Sequence, residues 1–91
     1  MLRFEWDPDK AASNVKKHGG SFQEAATVLG DQLSVTYYDP DHSIDEDRYI
    51  TIGTSAEGRL IILSHTDRGN RIRIISARKA TRRERRLYEN G

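Results

Sequence analysis

The apolar positions of this chain change period once, near residue 33. Leu2 to Trp6 alternates and predicts a short first strand. Asp7-Pro8 then starts a helix, with an oxygen acceptor at the N-cap and proline at the first helical position. Ala11, Asn14, Val15 and His18 follow at helical spacing, and Gly19 suits the left-handed position that ends a helix. Ser21-Phe22-Gln23-Glu24 matches a capping box. Phe22, Ala25, Ala26 and Leu29 form the stripe of a second short helix, which Gly30-Asp31 ends. From Leu33 the period is two, with Val35 and Tyr37 alternating with Ser34 and Thr36. After a long polar loop, a strand begins within Arg48–Ser55. Tyr49–Thr54 and Arg59–Thr66 predict a hairpin about Ser55-Ala56-Glu57-Gly58. Asp67-Arg68-Gly69-Asn70 predicts a second turn, and Arg71–Ala77 the last strand of a meander. Thr81 or Ser76 caps a closing helix that runs through Tyr88. The expected class is α+β: an antiparallel sheet meander packed against two N-terminal helices and a C-terminal helix, as one pair of layers.

Composition narrows this picture. The 91 residues make one domain over 1–91, with no visible linker or repeat. The absence of cysteine excludes disulfides and thiolate metal sites. Mean hydropathy is −0.79, but the apolar residues cluster at Tyr49–Ile52, Leu60–Leu63 and Ile72–Ile75, as a folding chain requires. No apolar run reaches bilayer length and no signal-peptide core appears, so a soluble, cytoplasmic protein is expected. The formal net charge is only +1, yet the charges are segregated. Asp39 to Asp47 is acidic. Arg68 to Arg86 carries Arg68, Arg71, Arg73, Arg78, Lys79, Arg82, Arg83, Arg85 and Arg86 against the single acid Glu84. Such a cluster suits a polyanion or an acidic partner.

On the last strand, simple alternation places Ile72, Ile74, Ser76 and Arg78 on one face and Arg71, Arg73, Ile75 and Ala77 on the other. A half-buried arginine needs a partner, either a structural carboxylate or a phosphate gripped by the guanidinium fork. On the closing helix Ala80, Leu87 and Tyr88 mark the buried stripe. Glu84 is the internal counter-ion, and Arg82 and Arg86 repel one another. His18, His42 and His65 show no metal-ligand spacing. His18 suits a helix C-terminus and His65 a packed strand position. His42, in the acidic loop, is the functional candidate of the three, with a plain loop histidine as the alternative. No phosphate-binding loop, dinucleotide fingerprint or nucleophile elbow is present.

The segments F-E-W-D-P-D-K-A-A-S-N-V-K-K-H-G-G-S-F-Q-E-A at 4–25, E-D-R-Y-I-T-I-G at 46–53, G-R-L at 58–60 and R-I-I-S-A-R-K-A-T-R-R-E-R-R-L-Y-E at 73–89 occur in the order that marks one family. In them the chain resembles BrnT, the toxin component of bacterial BrnT–BrnA type II toxin–antitoxin systems. The resemblance spans essentially the whole chain. It departs in details such as Gly20, where an aliphatic residue is common. It implies a RelE-like fold, ribonuclease activity that blocks translation, and neutralisation by a cognate BrnA-like antitoxin. Operator DNA is then expected to be bound only through the toxin–antitoxin complex.

The residue inventory suits RNA cleavage without a metal or cofactor. That reaction needs a base near the ribose 2′-hydroxyl, positive charge on the phosphorane and an acid at the leaving 5′-oxygen. Glu46 is the candidate base, or the group that orients an arginine. Arg59 and Arg78 are the candidate phosphorane stabilisers, and His42 a candidate acid. Arg68, Arg73, Lys79 and Arg82 are expected to hold flanking phosphates, with Lys10, Lys17 or His18 at the rim. The expected geometry is a single pocket on which these cations converge. A non-catalytic nucleic-acid-binding module, or a module that only docks an acidic antitoxin, is the competing expectation.

Overall fold

A computed structural model describes residues 3–90. Strand β1 (Arg3–Glu5) leads into helix α1 (Pro8–His18), helix α2 (Phe22–Thr27) and a 3-10 turn at Val28–Gly30. Strands β2 (Val35–Tyr38), β3 (Tyr49–Thr54), β4 (Leu60–Arg68) and β5 (Arg71–Lys79) follow, then helix α3 (Arg82–Asn90). Leu2, expected at the start of the first strand, lies outside the described residues.

The local signals act as their chemistry requires. The Asp7 carboxylate accepts from the Asp9 N–H, and Gly19 closes α1 at φ 73°. Ser21 Oγ accepts from the Glu24 N–H at 3.0 Å. Thr81 and Glu84 form a reciprocal box on α3, with Glu84 N–H to Thr81 Oγ1 at 3.1 Å and Thr81 N–H to Glu84 Oε1 at 2.9 Å. The core joins Phe22, Ala25 and Val28 to Ile61, Leu63, Ile74 and Ala77, with Phe4 and Trp6 packed against it.

The sheet order is β1-β5-β4-β3-β2. Strands β2 to β5 form the expected antiparallel meander, but β1 runs parallel to β5, so the sheet is mixed. Only Gly69-Asn70 separate β4 from β5, because Gly69 takes φ 65° and lets the second turn tighten. The stripe Phe22–Leu29 divides into α2 and the 3-10 turn.

Two departures shape the functional face. First, β5 does not alternate strictly. Ser64 pairs with Ser76 while the adjacent His65 pairs with Ile74, so Ile75 is an inserted bulge residue. The bulge reverses the faces. Ile74 and Ala77 both enter the core, and Arg71 and Arg73 come onto the same face as Ser76 and Arg78. Second, α3 does not join α1 and α2. It lies across the opposite face, beside Val35, Tyr37, Ile52 and Ile62. Tyr88 Oη donates to the Leu33 carbonyl at 3.1 Å and to Asp31 at 3.3 Å, tying down its far end.

The edge of β5 beyond the short β1 is closed by a side chain. Asn14 Nδ2 donates to the Ala77 carbonyl at 2.8 Å, and Asn14 Oδ1 accepts from the Ala77 N–H at 3.2 Å. The buried carboxamide thus replaces a missing strand neighbour.

Candidate active-site cleft

The sheet face turned away from α1 and α2 is covered at one end by α3 and at the other by the loop 39–48. Between them lies a cleft of about 420 Å³. Ile50, Ile62, Ser64 and Ser76 line its sheet side, and Arg78, Arg48, His42, Asp39 and His18 supply its polar groups.

The acidic loop is built from its own hydroxyl and backbone groups. Asp39 N–H donates to the Arg48 carbonyl at 2.9 Å. Ser43 Oγ accepts from the Arg48 N–H at 2.9 Å and donates to the Asp39 carbonyl. Thr66 Oγ1, from β4, donates to the Asp47 carbonyl at 2.6 Å. Inside this frame Pro40–His42 forms one 3-10 turn, which brings residues three apart together. His42 Nδ1 consequently lies 2.8 Å from Asp39 Oδ2. The Asp39 side chain is 13% exposed and the imidazole 66%, so a sheltered carboxylate backs an accessible ring.

Arg78 reaches the cleft from β5. Its Nη1 and Nη2 donate to Glu84 Oε1 and Oε2 at 2.7 and 2.8 Å, a bidentate fork. The Arg78 guanidinium holds the Glu84 carboxyl down at about 2, against the opposing effect of partial burial. Glu84 in turn raises Arg78 above its ordinary value.

The other predicted residues do not all converge here. Arg59 sits at the β3–β4 turn and bonds Glu24 bidentately through Nε, at 2.8 Å, and Nη2. It also reaches Glu57 at 3.0 Å. Arg59 and Ser55 hold the buried Glu24 below the carboxylate range despite desolvation. This cluster ties the hairpin to α2. Glu46 is paired with Arg68 at 3.0 Å and lines a neighbouring hollow with His42 and Arg48, outside the cleft itself. Arg73 is bonded to Glu5 at 2.8 Å and is on the cleft face of the sheet. Lys79 pairs with Ile61, in register with the core face, and its side chain is exposed. Arg82 is exposed in the first turn of α3. Lys10 and Lys17 border a shallow hollow that shares His18, Ile75 and Ser76 with the cleft.

Arg48, Asp39 and Ser76 were absent from the sequence-based site. The spacing Asp39-Pro40-x-His42 was the available signal for the pair, since proline at the first position of a helical turn places residues i and i+3 side by side. His65 is packed as expected. It stacks on Tyr49, its Nε2 lies 2.7 Å from Thr51 Oγ1, and burial lowers its proton affinity. No cluster of three or more His, Cys, Asp or Glu able to hold a metal occurs among the described residues.

A small α+β protein with a basic, histidine-bearing cleft on an open sheet face is thereby defined. Residues 6–84 match the family described as the ribonuclease toxin BrnT of type II toxin–antitoxin systems, and the chain belongs to that family. Its fold is similar to the crystal structure of the Brucella abortus ribonuclease toxin BrnT. The identity is 24%, with 90% of this chain and 100% of that chain covered and a TM-score of 0.66. No curated protein sequence matches the chain. Membership of a type II system implies an antitoxin protein as partner and RNA as substrate. No helix among the described residues is long and apolar enough to cross a membrane.

Proposed function

We propose that residues 1–91 act as one toxin domain that cleaves RNA internally, without a metal, by attack of the ribose 2′-hydroxyl on the adjacent phosphodiester. The observation that carries this reading is the meeting of Arg78, Arg48 and the His42–Asp39 pair in one cleft. A phosphodiester presents two non-bridging oxygens to a guanidinium much as the Glu84 carboxylate does. Arg78 therefore binds the scissile phosphate on exchanging Glu84 for it, and Arg48 adds charge as the phosphorane forms. Arg73 and Arg68, in register with the same sheet face, hold flanking phosphates, with Lys10, Lys17 and Arg82 at the margins. Glu46 acts by orienting Arg68, and Arg59 by holding the hairpin turn on α2.

A BrnA-like antitoxin neutralises the activity, and operator DNA is engaged only through the complex. The outward Arg83 and Arg86 of α3 suit an acidic antitoxin surface.

The test is cleavage of single-stranded RNA by the purified chain. Arg78→Ala is expected to lower kcat/KM by ~10²-fold or more while the fold is retained. Arg59→Ala is expected to lower stability more than activity. Cleavage should persist in EDTA and leave a 2′,3′-cyclic phosphate. Loss of activity on chelation would remove the metal-free mechanism, and full activity in Arg78→Ala would remove the cleft.

A further inference from the structure

We infer that His18 and His42 divide the proton transfers of this cleft, His42 as general acid and His18 as general base, with Asp39 as the positioning residue for His42. This rests on the ribonuclease reading and deepens it. The two rings come from different elements of the fold. His18 is the last residue of α1, and His42 belongs to the loop between β2 and β3. Both line the same cleft, together with Ser76 and Arg78. A nucleotide linkage seated on Arg78 therefore shares its cleft with two imidazoles.

The contacts set the roles. An acid must enter the reaction protonated and a base neutral. Only His42 has a carboxylate at its ring, with Asp39 Oδ2 2.8 Å from Nδ1. That contact fixes Nδ1–H toward Asp39 and leaves Nε2 as the atom that can donate toward substrate. His18 has no carboxylate contact among the described residues and shares its hollow with Lys10 and Lys17. The charged groups around His42 are Asp39, Asp41, Asp45, Glu46 and Arg48 of its own loop, and Arg78 across the cleft.

The step balances without a co-reactant. His18 takes the 2′-hydroxyl proton as the 2′-oxygen bonds to phosphorus. The bond from phosphorus to the 5′-oxygen breaks, and that oxygen receives the proton from His42. The products are a 2′,3′-cyclic phosphate and a 5′-hydroxyl, and exchange with solvent resets both rings.

The experiment compares an ordinary RNA oligonucleotide with one whose scissile 5′-oxygen is replaced by sulfur, a leaving group that needs no proton. On ordinary RNA, His18→Ala and His42→Ala should each lose ~10²-fold or more. On the thio substrate His42→Ala and Asp39→Asn should return to within ~10-fold of the parent, while His18→Ala stays impaired. A merely structural role for Asp39 would depress both substrates alike. Near-parental cleavage of ordinary RNA by either histidine variant overturns the assignment, as does rescue of His18→Ala in place of His42→Ala. If Arg78→Ala abolishes cleavage while both histidine variants remain active, the ribonuclease reading stands and this one falls. An inactive parent chain removes both.

Discussion

Asn14 shows how one side chain can substitute for a strand. β1 is only three residues long, so the upper half of β5 has an unpaired edge. Asn14 satisfies both backbone groups of Ala77 and also donates to the Gly20 carbonyl at 3.2 Å. Removing it takes the side-chain partner from three buried backbone groups, two of them on Ala77 in the cleft wall. Asn14→Ala is expected to cost about 2–3 kcal/mol in urea unfolding. A loss below ~0.5 kcal/mol would mean that water replaces the carboxamide at no penalty. Helical spacing alone placed Asn14 on the inner stripe of α1. Its bonds to Ala77, 63 residues away, were beyond any local pattern.

Among the elements, α3 is the most lightly held. None of its residues is buried, and Leu87 is 65% exposed. Its attachment rests on the Arg78–Glu84 fork at one end and Tyr88 at the other. Glu84 has an ordinary value of 4.5 and is held at about 2 in the fold. A carboxyl depressed in this way stabilises the folded state fully above its unfolded value, and the contribution is lost as pH falls through the folded one. The protein should therefore lose this contribution between about pH 4.5 and 2. Glu84→Gln keeps the capping-box geometry but removes the charge. It is expected to lower stability at neutral pH by about 1 kcal/mol and to flatten the acid limb of a urea-midpoint profile. An unchanged acid limb would show that Glu84 is not clamped by Arg78 in solution.

At the scale of the whole molecule, the near-neutral net charge conceals a division of labour. Three of the nine cations in the basic third are already matched at close range: Arg68 by Glu46, Arg73 by Glu5, Arg78 by Glu84. RNA must compete with these internal partners, so fewer phosphates are neutralised than a count of arginines suggests. With about three to five phosphates engaged, log K against log salt should fall with a slope of about −2 to −3.5 for single-stranded RNA. A slope near −6, measured by fluorescence anisotropy, would require nearly every basic side chain to release its carboxylate.

The sequence by itself determined the elements. Capping boxes, the change of period at residue 33 and the glycine turns are local, because they depend on hydrogen bonds and torsions within a few residues. The family resemblance was equally legible, since its segments follow one another in order. Only the tertiary structure decided which cations share a cleft. One bulge at Ile75 reversed the faces of β5, α3 crossed to the open side, and carboxylates distant in sequence claimed Arg59 and Arg73. Charge pairing across a sheet follows from register, and a single inserted residue is enough to change which side chains meet.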